Sequence, residues 1–139
     1  MPELPEVETV RLQLMQKIQG KTIDSVEVFH SKIVAHDETI EDRLRGKTIN
    51  DIERIGKLMI FYFEQEDDLF MLAHLKMTGQ FFYVDSEGDV VGGGHSMNES
   101  DGRDFPHKHS RVAFHFTDRT TLYFNDMRLF GYTKLANAE

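Results

Sequence analysis

The stretch Met1-Pro-Glu-Leu-Pro-Glu-Val-Glu-Thr9 places a proline where it becomes the amino terminus once Met1 is removed. An amino-terminal proline is a secondary amine. It can attack an electrophilic carbon and leave a positively charged iminium without help from a lysine. An α-amino group titrates at about 7.7–8.0, so a useful unprotonated fraction exists near neutral pH. Glu3 adjoins it as a candidate acid, base or charge stabiliser. The same residues also suit a helix start. Proline favours the first helical turn, and Glu3, Glu6 and Glu8 complement the positive end of a helix dipole. The two readings are compatible, because a helix can hold a catalytic amine in place.

Other residues with chemical potential are scattered downstream. Lys57 follows Gly56 at the mouth of an apolar strand, where it can reach a phosphate or carboxylate or simply be solvated. His74 interrupts Met71-Leu-Ala-His-Leu-Lys-Met77. Strand alternation puts Leu72, His74 and Lys76 on one side, and Met71, Ala73, Leu75 and Met77 on the other. His74 is then a ligand contact or a hydrogen-bonded structural histidine. Met77 is either core filling or, if exposed, a wedge between base steps. His107-Lys108-His109, with His95 upstream, lacks a third metal ligand at a convincing spacing. The run Gly92-Gly93-Gly94 is weak as a phosphate loop, because no amphipathic helix follows it. In Asp126-Met-Arg-Leu-Phe-Gly131, Arg128 and Phe130 point the same way if the segment is extended. A guanidinium beside a ring can read a base edge and fill a stack.

The elements that would position these groups are legible in outline. Val7, Val10, Leu14 and Ile18 form an apolar stripe that predicts a helix over 5–18, with Gly20 as its stop. A strand is expected over 22–29, a polar irregular stretch over 30–37, and a short helix over 38–45 closed by Gly46. Strands follow at Thr48–Ile55, Lys57–Phe63, Leu69–Met77, Gly79–Val84, Arg111–Thr117, Thr121–Asn125 and Tyr132–Leu135. Residues 85–109 read as one long loop. The expected fold class is α+β, a mostly antiparallel β-sandwich flanked by an N-terminal helix and a second short helix.

Bulk properties narrow the function classes. The chain has 139 residues, 40% hydrophobic and 29% charged, which fits one soluble domain spanning 1–139. No apolar run approaches the ~20 residues of a membrane span, and the acidic start is not a secretory signal. There are no cysteines, so disulfides and cysteine-ligated zinc are excluded, in keeping with a reducing cytoplasm. A net charge of −8 argues against nucleic-acid binding when taken alone. The acids, however, cluster at 64–68, 85–89 and 99–104, while Arg54, Lys57, Lys76, Lys108, Arg111 and Arg128 lie elsewhere. Lys134-Leu-Ala-Asn-Ala-Glu139 carries no capping or packing signal and reads as a cut within a linker.

Taken together and in this order, these motifs resemble bacterial formamidopyrimidine-DNA glycosylase. The resemblance rests on Met1-Pro-Glu-Leu-Pro-Glu-Val-Glu-Thr-Val10, Gly56-Lys57, His74-Leu-Lys-Met-Thr-Gly79, Lys108-His-Ser-Arg-Val112 and Asp126-Met-Arg-Leu-Phe-Gly131, and covers essentially the whole chain. Leu4 favours this branch over the related endonuclease VIII branch. The resemblance implies roles for the candidates. Pro2 would attack C1′ of a damaged nucleotide, Glu3 would protonate the sugar ring oxygen and shuttle protons, and Glu6 would help hold the helix at the site. Lys57 and His74 would contact phosphates flanking the lesion, and Lys108 and His109 would belong to the DNA-binding surface. Met77, Arg128 and Phe130 would enter the space left by the everted base, with Arg128 facing the orphaned cytosine.

The implied partner is double-stranded DNA containing oxidised purines or abasic sites, engaged by a monomer without membrane association. The implied setting is the bacterial cytoplasm, at the nucleoid. Family members run about twice this length, with a helix–two-turn–helix module and a four-cysteine zinc finger in their second half. This chain is therefore expected to be the amino-terminal catalytic domain, with no cofactor of its own. With Met1 attached, Pro2 is an amide nitrogen, and the chain is expected to be inactive. Two alternatives stand beside this reading: a non-catalytic module for damaged DNA, and a β-sandwich interaction domain.

Overall fold

The computed structural model describes residues 3–92 and 105–137. Its first element is helix α1 (Leu4–Ile18), which buries Val7, Val10, Leu14 and Ile18, the stripe expected from their spacing. After it come β1 (Ile23–Val28), a 3-10 helix (Ser31–Val34), the short helix α2 (Ile40–Leu44), β2 (Ile49–Ile55), β3 (Leu58–Phe63) and β4 (Leu69–His74). The remaining strands are β5 (Gly79–Val84), β6 (Val90–Gly92), β7 (Ser110–Phe116), β8 (Thr121–Asp126) and β9 (Tyr132–Asn137).

Two antiparallel sheets face each other. One has five strands in the order β1-β7-β8-β5-β6, the other four in the order β2-β3-β4-β9. Alternation works as physics requires in the smaller sheet: Met59, Phe61 and Phe63 of β3 and Leu69, Met71 and Ala73 of β4 are buried. Across the interface Phe61 meets Phe81 at a centroid distance of 6.0 Å, and within the larger sheet Phe81 meets its strand partner Phe124 at 5.0 Å. Burying each such ring contributes about 1.5–3 kcal/mol. Helix α1 packs on β2 and β5 and so touches both sheets. The architecture is the α+β antiparallel sandwich with two helices that the sequence predicts.

Two connections carry the chain from one sheet to the other and matter most below. The β4–β5 corner, residues 75–78, leaves the four-stranded sheet for the five-stranded one. The β8–β9 corner, residues 127–131, makes the return trip. The corners lie side by side, because Gly79 pairs with Asp126 and His74 pairs with Tyr132.

Several local expectations need correction. The stretch over 30–37 is not irregular: Ile33 and Val34 of the 3-10 helix are buried, and this turn packs on β7 and β9. Its polar neighbours mask two core residues that are too few to show a period. Residues 90–92 pair with β5 instead of continuing a loop. Strand β4 ends at His74 and does not run on to Met77. His95, Gly93, Gly94 and most of the long stretch before residue 105 lie outside the described residues.

Candidate active site

The amino-terminal end of α1 is built from the glutamates that the sequence singles out. Glu3 is the helix N-cap and Glu6 the third helical residue, and together they form a reciprocal capping box. The Glu3 N–H donates to Glu6 Oε1 at 2.7 Å. Glu6 thus steadies the backbone beside Pro2, which itself lies outside the described residues. The Glu3 carboxylate is exposed and comes within 3.9 Å of Lys57 Nζ, so the start of the chain meets the β2–β3 hairpin.

A second set of contacts, not evident from spacing, fixes that hairpin. Glu8 Oε1 accepts from Arg54 Nε at 2.6 Å, and its two oxygens accept from Arg11 Nε and Nη2 at 3.0 and 2.7 Å. Arg11 also donates to the Ile52 carbonyl, and Arg54 to the Gly56 carbonyl at 3.1 Å. One carboxylate on α1 therefore reaches, through Arg54, the turn that presents Lys57. Hydrogen bonds from Arg11 and then Arg54 pull the Glu8 pKa down to about 2. Because the folded value lies below the ordinary carboxylate value of 4.5, this clamp is fully stabilising above pH 4.5 and fades as pH falls toward 2. The difference in thermal midpoint between wild type and Glu8→Gln should accordingly be clear at neutral pH and shrink markedly by pH about 3. A difference that stayed constant would remove Glu8 from this role.

Lys57 is brought to His74 by strand pairing, since Leu58 faces His74 across β3 and β4. His74 Nδ1 accepts the Lys76 N–H at 3.0 Å, so the neutral ring carries its proton on Nε2. Burial first, and then the charges of Lys76 and Lys57, lower the His74 pKa. The ring is therefore a neutral N–H donor beside a cationic lysine. That combination suits a phosphate oxygen without concentrating positive charge.

Met77 is 47% exposed, so of its two readings core filling is the one that fails. Lys76 adopts a left-handed backbone (φ 54°) after the strand ends, and the alternation that predicts burial no longer applies. Arg128 and Phe130 are both exposed, Phe130 by 50%. The segment is not extended, however. Leu129 between them is left-handed (φ 61°) and packs half-buried against the core. The reversal at Leu129 leaves its two neighbours outside. Lys108 is exposed and His109 half-buried in the turn before β7, so the His107–His109 pair is not on a strand. Among the described residues no group of three metal-binding side chains occurs.

Asp126 is the residue that sequence reasoning left without a role. It is fully buried where β8 meets its corner. Its carboxylate accepts from the Thr78 hydroxyl, from the Arg128 N–H at 3.2 Å and from the Gly131 N–H at 2.7 Å. The only advance sign was its place at the head of a turn, where aspartate commonly caps backbone N–H groups. The structure thus gathers Glu3, Lys57, His74, Met77, His109, Arg128 and Phe130 into segments tied directly to one another. Glu6 acts on the backbone of Glu3, and Lys108 stands on the adjoining turn.

Known proteins resemble this chain over nearly its whole length. The family described as the formamidopyrimidine-DNA glycosylase N-terminal domain matches residues 1–133. A formamidopyrimidine-DNA glycosylase of Exiguobacterium sibiricum is 39% identical over 141 residues, covering 100% of this chain and 44% of that protein. One from Lactiplantibacillus plantarum is 42% identical over 132 residues, covering 94% of this chain and 42% of that protein. Among solved structures, the Lactococcus lactis enzyme in complex with abasic-site DNA superposes with a TM-score of 0.79 at 32% identity, over 99% of this chain and 44% of that one. The same enzyme with DNA containing a formamidopyrimidine lesion superposes at 0.78 and 32% identity, over 98% and 44%. This chain spans less than half the length of those relatives, and it belongs to the formamidopyrimidine-DNA glycosylase N-terminal domain family.

Proposed function

We propose that this chain is the catalytic half of a bifunctional DNA glycosylase and abasic-site lyase that removes oxidised purines in base excision repair. The observation that carries the reading is the side-by-side placement of the two corners. Those corners carry the exposed Met77, Arg128 and Phe130, and one of them continues directly from His74, whose strand partner Leu58 follows Lys57. A target carbon buried in a stacked duplex is reachable only if the nucleotide is turned out and the gap filled. An exposed aromatic, a thioether and a guanidinium are suitable fillers.

In this reading Pro2, freed of Met1, uses its nitrogen lone pair to form a bond to C1′ as the damaged base departs. Glu3, near Lys57, supplies a proton to the sugar ring oxygen, and the ring opens to an iminium. The iminium acidifies the 2′ hydrogen. Its loss expels the 3′ phosphate, and a second elimination expels the 5′ phosphate. Lys57 and His74 hold the flanking phosphates, and Lys108 and His109 extend the DNA-binding surface. The chemistry needs no cofactor from this segment, and a four-cysteine zinc finger finds no ligands in a chain without cysteine. The setting would be the bacterial cytoplasm and its nucleoid, with a monomer acting on duplex DNA. No helix among the described residues is long and apolar enough to cross a membrane.

Product analysis tests the proposal. A complete protein carrying this segment should release 8-oxoguanine from a labelled duplex and leave a gap with phosphate on both ends. Binding without base release would assign the chain to a damage-recognition module. Neither binding nor release would leave only an interaction domain.

A further inference from the structure

Each polar atom of Asp126 is committed to a different part of the site. Oδ1 accepts from the Thr78 hydroxyl and from the Arg128 N–H, and Oδ2 accepts from the Gly131 N–H. The backbone N–H of Asp126 donates to the His109 carbonyl at 2.9 Å. Its carbonyl accepts from Arg111 Nε at 2.9 Å. Thr78 completes a triangle, since its hydroxyl oxygen also accepts the Arg128 N–H at 3.2 Å. Thr78 follows Met77 directly, and Arg128 and Phe130 lie on the other corner. Two polar routes therefore join the corners, one directly from the Arg128 N–H to the Thr78 hydroxyl and one through the buried Asp126 carboxylate that both groups also contact.

We propose that Asp126 is a positioning residue that, through Thr78, locks the Met77 corner and the Arg128–Phe130 corner into a single rigid wedge. The proposal rests on the DNA-opening reading above. Side chains that fill a gap in a base stack must give up their freedom on entering it. Two independent loops would pay this cost separately, whereas a pre-joined wedge has already met it during folding. A buried carboxylate that accepts from three N–H and O–H donors on both corners is suited to the task, because losing a donor leaves a buried acceptor unsatisfied.

The test uses a complete protein carrying this segment, with two duplexes, one intact and one holding an abasic analogue opposite 2-aminopurine. Wild type is expected to prefer the abasic duplex and to change the 2-aminopurine fluorescence as the wedge meets the orphaned base. Thr78→Val removes the hydroxyl but keeps the shape. It should lower the preference for the abasic duplex about tenfold, the equivalent of one charge-assisted hydrogen bond. Affinity for the intact duplex should stay unchanged. Thr78→Ser, which restores the hydroxyl, should restore the preference. Asp126→Asn should lose it as Thr78→Val does, and if that variant fails to fold, the Thr78 pair decides. A purely structural role would instead lower both affinities together and overturn the proposal, as would a Thr78→Val protein that keeps wild-type preference. If wild type shows no preference for the abasic duplex, it is the DNA-opening reading that falls.

Discussion

A complete protein carrying this segment is expected to form a borohydride-stable adduct with an abasic duplex when Pro2 is its first residue, and to form none when Met1 is retained. The reason is electronic. Acylated by Met1, the proline nitrogen delocalises its lone pair into a carbonyl and has nothing to offer C1′. No other group in the described site replaces it. Lys57 is the other candidate amine, and its Nζ lies 3.9 Å from the Glu3 carboxylate, an ion pair that keeps the amine occupied as a cation contact. The expected loss of covalent trapping on Met1 retention is at least about 10³-fold, the scale on which removing a nucleophile acts. Pro2→Gly keeps a primary amine but loses the ring that restricts its approach, and should fall by on the order of 10²-fold. An adduct of wild-type yield from the Met1-retaining protein would sink the assignment. An unchanged yield from Pro2→Gly would show that the proline ring is irrelevant to trapping.

Gly131→Ala should be a severely damaging small substitution at the site. A Cβ there would lie 2.6 Å from the His74 carbonyl oxygen, 2.9 Å from Asp126 Oδ2 and 3.0 Å from Phe124 Cζ. None of the three can yield cheaply. The first is strand backbone, the second is the carboxylate that joins the corners, and the third is a fully buried ring. Overpacking of this kind costs about 3 kcal/mol, the upper part of its usual range. For a domain of this size that is a fall of roughly 10 °C in Tm. Gly20→Ala provides the contrast. Its new Cβ would touch nothing within 4 Å, and only its left-handed backbone (φ +84°) resists. The cost should be about 1 kcal/mol. Equal midpoints for the two variants would show that the corners can open at little cost.

Legibility of the fold in the sequence tracked the range of the forces involved. Helix α1 and the alternating strands β3 and β4 were readable, because burial of one face stamps a short period on the residues themselves. The 3-10 turn with Ile33 and Val34 was hidden, because a single turn repeats nothing. The side on which Met77 lies is not legible from alternation, because β4 ends at His74 and the left-handed Lys76 breaks the pattern. The candidate site followed the same rule. Its reactive members carried recognisable types and neighbours, but the residues that hold them did not. Glu8 meets Arg54 across 46 positions and Thr78 meets Asp126 across 48, and no local pattern encodes such partners. Asp126 looked like a turn residue because it is one, and only the fold shows that the turn it caps is fastened to a second.

The residues proposed to enter DNA sit where the chain changes sheets. A corner of that kind has its length fixed by the gap between two packed layers, so inserting or deleting a residue there would force the layers apart. The side chains at Met77, Arg128 and Phe130 project from it without supporting the core. Shape and selectivity are thereby uncoupled. Over evolutionary time the tips can be exchanged to suit different lesions or opposing bases, while the frame beneath them stays closed to change. Relatives that differ in what they repair are then expected to vary in the identity of these three tips and to agree in the spacing between them.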